Sequence, residues 1–236
     1  MVDSNYISPA FIRCFDSSEA VGYVSRYVSG IALPDSPIAQ AATEAVQMAE
    51  PALLFRHSIR VFLFASLIGK RRGLDFNPDV LYVAAMFQDI GLTRAFKHSR
   101  RRFEVDGAQA GADFLKRHQF SPADCDEAWR AVALHITFGI AKEMDPVTAL
   151  LAAGVETDLL GAHFDEVLEV ERQDVIAGFP RGSRFKQRII DIFARGIEHR
   201  PETTLGTVGA DVLERTDPAY RRENFCGLVL GSKWKE

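Results

Sequence analysis

Residues 77–91 read NPDVLYVAAMFQDIG. Asn77 offers a side-chain oxygen to unpaired amides at a helix start, and Pro78 suits the first helical position. The run that follows is apolar nearly all round, which predicts a helix at the centre of the fold rather than on its surface. That helix ends on an amide, a carboxylate and a glycine: Gln88, Asp89 and Gly91. Polar groups at the end of the most buried helix ask for partners, so the rest of the chain is read outward from them.

Upstream, a helix is predicted from Asp35 to about Met48, with Pro37 in its first turn. A longer one covers Pro51 to Arg72 and stops at Gly73. Downstream, residues 104–118 read as a helix. Ser121-Pro122 opens another that reaches His135, and Asp145-Pro146 opens a third through Leu160. Helices over 165–175 and 184–198 follow, then a mixed tail from Pro201 with turn signals at Asp217-Pro218 and Gly231. Period-two alternation is rare and no repeat is evident. The expectation is an all-α, compact, single-domain helical bundle over residues 35–236, preceded by a loosely ordered N-terminal arm over residues 1–34.

Composition narrows the classes of function. Hydrophobic residues make up 47% of the 236, enough for a sizeable core, and the net charge is −4. That balance gives no overall pull toward nucleic acid or an anionic membrane. The two tryptophans and 17 phenylalanines read as packing, with no stacking array for bases. No stretch is expected to reach the roughly 20 apolar residues of a membrane span. The first residues lack the apolar run of a signal peptide. Three scattered cysteines, Cys14, Cys125 and Cys226, make no CxxC pair and no disulfide framework. The expected setting is the cytoplasm, and the expected partner is a small-molecule substrate, with a homodimer as an open alternative.

Residues three, four and seven apart share a helix face. On that spacing His57 lines up with Val61, Phe64 and Ile68. Gln88 and Asp89 follow Leu81 and Ala85, His135 follows Ala128 and Val132, and Asp158 follows Leu151 and Val155. Four helices therefore each aim a polar side chain at the core. A buried carboxylate is strongly disfavoured unless it is paired or binds a cation. Two carboxylates and two imidazoles point to a shared divalent ion, for which both are ordinary ligands. Each residue also has a plain reading. Either histidine alone is more often a hydrogen-bonded core residue. The QDIG segment can be a helix end with Asp89 in a cap and Gly91 in the left-handed conformation. Asp158 can bind backbone amides at the rim. Their joint occurrence favours a site.

The segments HSIRVFLFASLIG (57–69), AAMFQDIGLT (84–93), RRFEVDGAQAGADFL (101–115), AVALHITFGIA (131–141) and GVETDLLG (154–161) occur in that order. With AGFPRGSRFKQRIIDIF (177–193) and HRPETTLGT (199–207), they resemble the HD superfamily in its cyanamide hydratase-like branch. The resemblance spans roughly residues 50–210. It implies a helical bundle whose metal ligands are a histidine, a His-Asp pair and a distant aspartate, which fall on His57, Gln88-Asp89 and Asp158. The histidine of the pair is glutamine here. An amide oxygen is neutral and harder than imidazole, so the set should hold zinc less well and accept magnesium, manganese or iron more readily. Other readings of Gln88 are a site that has lost its metal and now only binds a ligand, or an engineered residue. The extra histidine of two-metal relatives is missing from Phe103-Glu104-Val105-Asp106-Gly107, so at most one metal is expected.

The resemblance further implies addition of water across a small carbon–nitrogen triple bond: oxygen bonds to carbon and a nearby acid protonates nitrogen. His135 is the candidate acid–base group. Asp89 and Glu104 are counted with it as catalytic, although Glu104 also suits the first turn of a helix as a carboxylate facing the dipole. Arg60 and Gln88 are candidates for contacting substrate, with Arg60 better suited to pairing a carboxylate inside the bundle. The basic run Lys97–Arg102 could serve a phosphohydrolase, or simply be a solvated loop. The alternatives to a hydratase are thus another HD-type hydrolase or a metal-free binding protein.

Overall fold

The computed structural model describes residues 27–235. Most of the expected N-terminal arm therefore lies outside the described residues. Its last part is ordered: Tyr27–Val28 (β1) and Ile31–Ala32 (β2) pair antiparallel. Ser29 and Gly30 turn the chain between them with φ of 50° and 74°. Two consecutive positive φ values match the twist of a two-residue hairpin, which is why this segment is structured rather than loose.

Ten α-helices follow, and the all-α architecture stands. The first is Pro37–Ala49 (α1), capped by Ser36. Ala52–Arg72 (α2) ends at Gly73, whose φ of 64° is the left-handed stop expected from the sequence. Pro78–Phe87 (α3) starts where Asn77 accepts from the amides of Asp79 and Val80. Phe103–Arg117 (α4), Pro122–Leu134 (α5) and Pro146–Leu160 (α6) follow. Ser121 and Asp124 cap α5 reciprocally, and Asp145 caps α6 through the amide of Thr148.

Two expectations shift. The helix expected over 165–175 is instead Glu169–Gly178 (α7). Glu171 accepts from the Leu168 amide and so sets the start at residue 169, while residues 161–167 turn back on themselves. The mixed tail contains Val208–Thr216 (α9) and Phe225–Leu230 (α10), after Phe185–Ile197 (α8) as expected.

The core is one continuous apolar cluster. Helix α3 is buried from Val80 to Phe87, α2 from Leu53 to Gly69 except Arg56, and α6 from Val147 to Asp158 except Glu156. By length and composition α2 would suffice to cross a membrane, contrary to the expectation that no stretch comes close, but its surface is covered by the rest of the bundle.

Helices α2 and α6 pack against each other at Gly154. A Cβ there would stand 2.4 Å from the Val61 carbonyl oxygen, so only glycine permits this approach. His57 lies one turn before Val61, and Asp158 one turn after Gly154. With the helices in contact at that point, the two side chains meet.

Candidate functional site

His57, Gln88, Asp89, His135 and Asp158 are all buried, with none more than 1% exposed. His57 sits between two carboxylates. Its Nδ1 is 2.6 Å from Asp158 Oδ2, and its Nε2 is 3.5 Å from Asp89 Oδ2. On the other side of Asp89, His135 Nε2 is 3.7 Å from Oδ1. The first contact is a short hydrogen bond; the other two are too long to be direct ones.

Asp158 is fully engaged. Arg60 donates to both its oxygens, from Nε at 2.9 Å and from a terminal nitrogen at 2.8 Å, and His57 donates at 2.6 Å. Burial alone would raise the Asp158 pKa. The hydrogen bonds from His57 and Arg60 outweigh it and hold this carboxyl well below the usual carboxylate range. Asp158 therefore reaches the site as the group that orients His57, rather than with a free oxygen to offer. Arg60 likewise turns to Asp158 and to the Phe179 carbonyl, and packs over the Phe185 ring. All three of its nitrogens already donate, two to Asp158 and one to Phe179.

The opposite is true around Asp89. Both its oxygens, both Gln88 amide atoms, His57 Nε2 and His135 Nε2 are buried without a hydrogen-bond partner. Unsatisfied buried polar atoms are rare and costly, and several in one place call for something polar to join them. His135 Nδ1 donates to the Val132 carbonyl at 2.6 Å, which aims Nε2 at Asp89. Burial pulls the His135 pKa down. Asp89, the Val132 carbonyl and Glu104 pull it up by more, so it rests above the ordinary histidine value.

The donor set fits a divalent cation in kind: the His57 imidazole nitrogen, the Asp89 carboxylate and the Gln88 amide oxygen, with His135 Nε2 beside them. Among the described residues, no three His, Cys, Asp or Glu side chains already stand as a ligand cluster. An amide at position 88 and the capture of Asp158 by Arg60 both thin the set.

The residue that sequence reasoning missed is Glu50. It is buried, and both its oxygens lack a hydrogen-bond partner. Burial and then the Asp89 charge push its carboxyl well above the usual range, against a lowering effect of Ser58. The available signal was its position seven residues before His57. Arg200 was also missed. Fully buried, it pairs with Asp106 at 2.6 Å and donates to the Gly91 carbonyl, pinning the turn after Asp89. Nothing in the local sequence marks it, since Asp106 and Gly91 lie 94 and 109 residues away.

Gly91 is not the left-handed stop that the helix-end reading supposed; it is absent from the positive-φ glycines. Its need for glycine is contact: a Cβ would lie 2.1 Å from the Phe103 carbonyl oxygen. This close approach lays the start of α4 on the Gln88-Asp89 turn. Glu104, in that first turn, is 2% exposed and takes a 2.6 Å hydrogen bond from Arg102. It is near enough to His135 to raise its pKa. The rest of the basic run is largely exposed, with some surface pairing. Arg100 reaches the His199 carbonyl and Glu202, and Arg101 pairs with Asp106.

A helical bundle that gathers His57, a residue-88/Asp89 turn and Asp158 at its centre defines a class. Residues 54–175, just over half of the chain, match the HD domain family. The chain belongs to the HD domain family. No curated protein matches it.

Proposed function

We propose that this protein is a metal-dependent hydrolase or hydratase acting on a small molecule, with Asp89 at the centre of its site. The observation that carries the reading is the group of partnerless buried atoms on His57, Gln88, Asp89 and His135. HD-family membership supports it, as that family is one of divalent-metal hydrolases. His57, Gln88 and Asp89 would hold the ion, with Asp158 fixing the orientation of His57 as a carboxylate behind a metal-bound histidine does. Water activation and substrate polarisation are the chemistry such an ion supplies when bound.

The chain's own groups take the remaining tasks. His135, with Nδ1 tied to Val132, presents Nε2 as the atom that can hold or deliver a proton. Without the ion, burial lowers its pKa, and Asp89, the Val132 carbonyl and Glu104 raise it by more, so its protonated form, the one a general acid needs, is favoured. The finer reading is a cyanamide hydratase-like reaction, in which water oxygen bonds to the nitrile carbon and His135 protonates the nitrogen. It rests on the resemblance of the sequence segments. The phosphohydrolase alternative stands beside it: Arg100, Arg101 and Arg102 keep 73%, 54% and 38% of their side chains exposed, and exposed ion pairs are weak enough to give way to a phosphate.

The test pairs metal content with turnover. Wild-type protein is titrated with zinc and manganese against a chelator, then assayed for urea or ammonia release from a nitrile panel that includes cyanamide. Gln88→His should tighten zinc by roughly tenfold or more, since it restores an imidazole donor. Asp89→Ala should abolish both binding and turnover. A protein that loads metal yet is inert on every nitrile would shift the reading to another hydrolase. One that stays folded, metal-free and inert would make it a binding protein.

A further inference from the structure

Among the described residues, two apolar surfaces lack a counterpart. The first is a groove of about 300 Å³ between α6, α8, α9 and the segment after His135. Its walls include Phe138, Leu159, Leu160, Ile190 and Val212, with Glu156 and Lys186 as the charged residues on its lining. The second is the C-terminal arm. Helix α10 carries Phe225, Leu228 and Val229 at the i, i+3, i+4 spacing of one helix face, with Leu230 and Trp234 following. Phe225 is 77% exposed, Leu230 86% and Trp234 91%. Residues 221–235 are exposed without exception.

Large apolar side chains grouped on one short helix and left in water mark a binding element, not a folded core. Helix-in-groove recognition uses this spacing of anchors against an apolar cleft of this kind. The arm also has a fixed root. Arg222 pairs with Asp211 at 2.6 Å and with Glu214 at 3.2 Å, both on the solvent side of α9. Val208 and Val212, on a different face of α9, line the groove. The arm does not occupy the groove of its own chain: none of residues 221–235 lines it, and all of them are exposed.

We propose that α10 of one copy inserts Phe225, Leu228 and Val229 into the α6–α8–α9 groove of a second copy, and that the exchange is reciprocal. A two-fold pair uses each arm and each groove once, which closes the assembly at a dimer rather than a filament. The proposal is independent of the metal reading, as it uses none of His57, Gln88, Asp89, His135 and Asp158.

The experiment is light scattering coupled to size exclusion on the full chain over micromolar to hundreds of micromolar concentrations. Three samples are compared with wild type: Phe225→Asp in the arm, Leu160→Asp in the groove, and an equimolar mixture of the two. Both positions are exposed, so the monomer fold should be kept, as circular dichroism would verify. Wild type should be a dimer, and each variant alone should weaken dimerisation by roughly tenfold or more, as loss of a central apolar anchor does. The mixture retains one intact arm and one intact groove, so it should regain dimers that neither variant forms alone. A monomeric wild type, a dimer untouched by both variants, or a mixture with no regained dimer would each overturn the exchange. An arm seated in its own groove would give the first result, and a dimer built on another face would give the second.

Discussion

Arg60 and Asp158 show how a fully buried ion pair can serve a site without entering it. A guanidinium and a carboxylate removed from water are tolerable only when each satisfies the other and the remaining hydrogen bonds are made. Here the pair is bidentate, and His57 takes a share of the same carboxylate. Asp158→Asn would keep the shape but leave Arg60 as an uncompensated buried charge. The expected loss is about 3–5 kcal/mol of stability in urea unfolding. Asp158→Leu combined with Arg60→Met should lose clearly less, because no charge is stranded. If the double variant is as damaged as Asp158→Asn, the pair is not what holds this region. Of the expected site residues, His57 and Asp158 were legible from helical spacing. That Asp158 would face Arg60 was visible only as a tendency of Arg60 to pair inside the bundle.

Helices α2 and α6 bring those residues together because their backbones nearly touch. Glycine in a helix interior is normally a liability of about 1 kcal/mol relative to alanine. Gly154→Ala would recover that much in propensity, yet place a methyl group 2.4 Å from the Val61 carbonyl oxygen. Overpacking of this kind costs about 1–3 kcal/mol or more. The steric term should win, because both contacting groups are backbone or fixed to it. The measured outcome should be a net loss of stability, with weakened metal retention as the His57–Asp158 contact opens. A Gly154→Ala protein more stable than wild type would mean that the two helices slide apart without penalty. Helix starts at Asn77-Pro78, Ser121-Pro122 and Asp145-Pro146 were readable because capping is local chemistry. The start of α7 was misplaced because a turn at residues 161–167 carries apolar residues that mimic a helical stripe. Arg71 and Arg72 of α2, bound to Glu171 and Glu166, hold that turn from a distance.

Across the whole molecule the apolar cluster runs without a break from Val28 to Leu213. Among the described residues, every helix up to α9 contributes to it or packs against it, and α10 alone stands clear. A chain with one such core should unfold in one cooperative step. Scanning calorimetry is therefore expected to show a single transition with or without residues 221–236, its midpoint rising with protein concentration only when the arm that makes the proposed dimer is present. Two separated transitions would instead divide the helical body into independent units.

The amino-acid sequence by itself determined the all-α class, most helix boundaries and the polar residues aimed inward. These follow from local capping and from periodicity, which act within a few residues. Only the tertiary structure decided which of those polar atoms are satisfied and which are left over. Asp158 is neutralised by Arg60, whereas Asp89 and Glu50 are not, and that difference depends on contacts between residues up to 101 positions apart. The role of Gly91 changed for the same reason: its requirement comes from Phe103 on another helix, not from its own φ. Charge balance in a buried site is a property of the folded neighbourhood, and no local pattern in the chain encodes it.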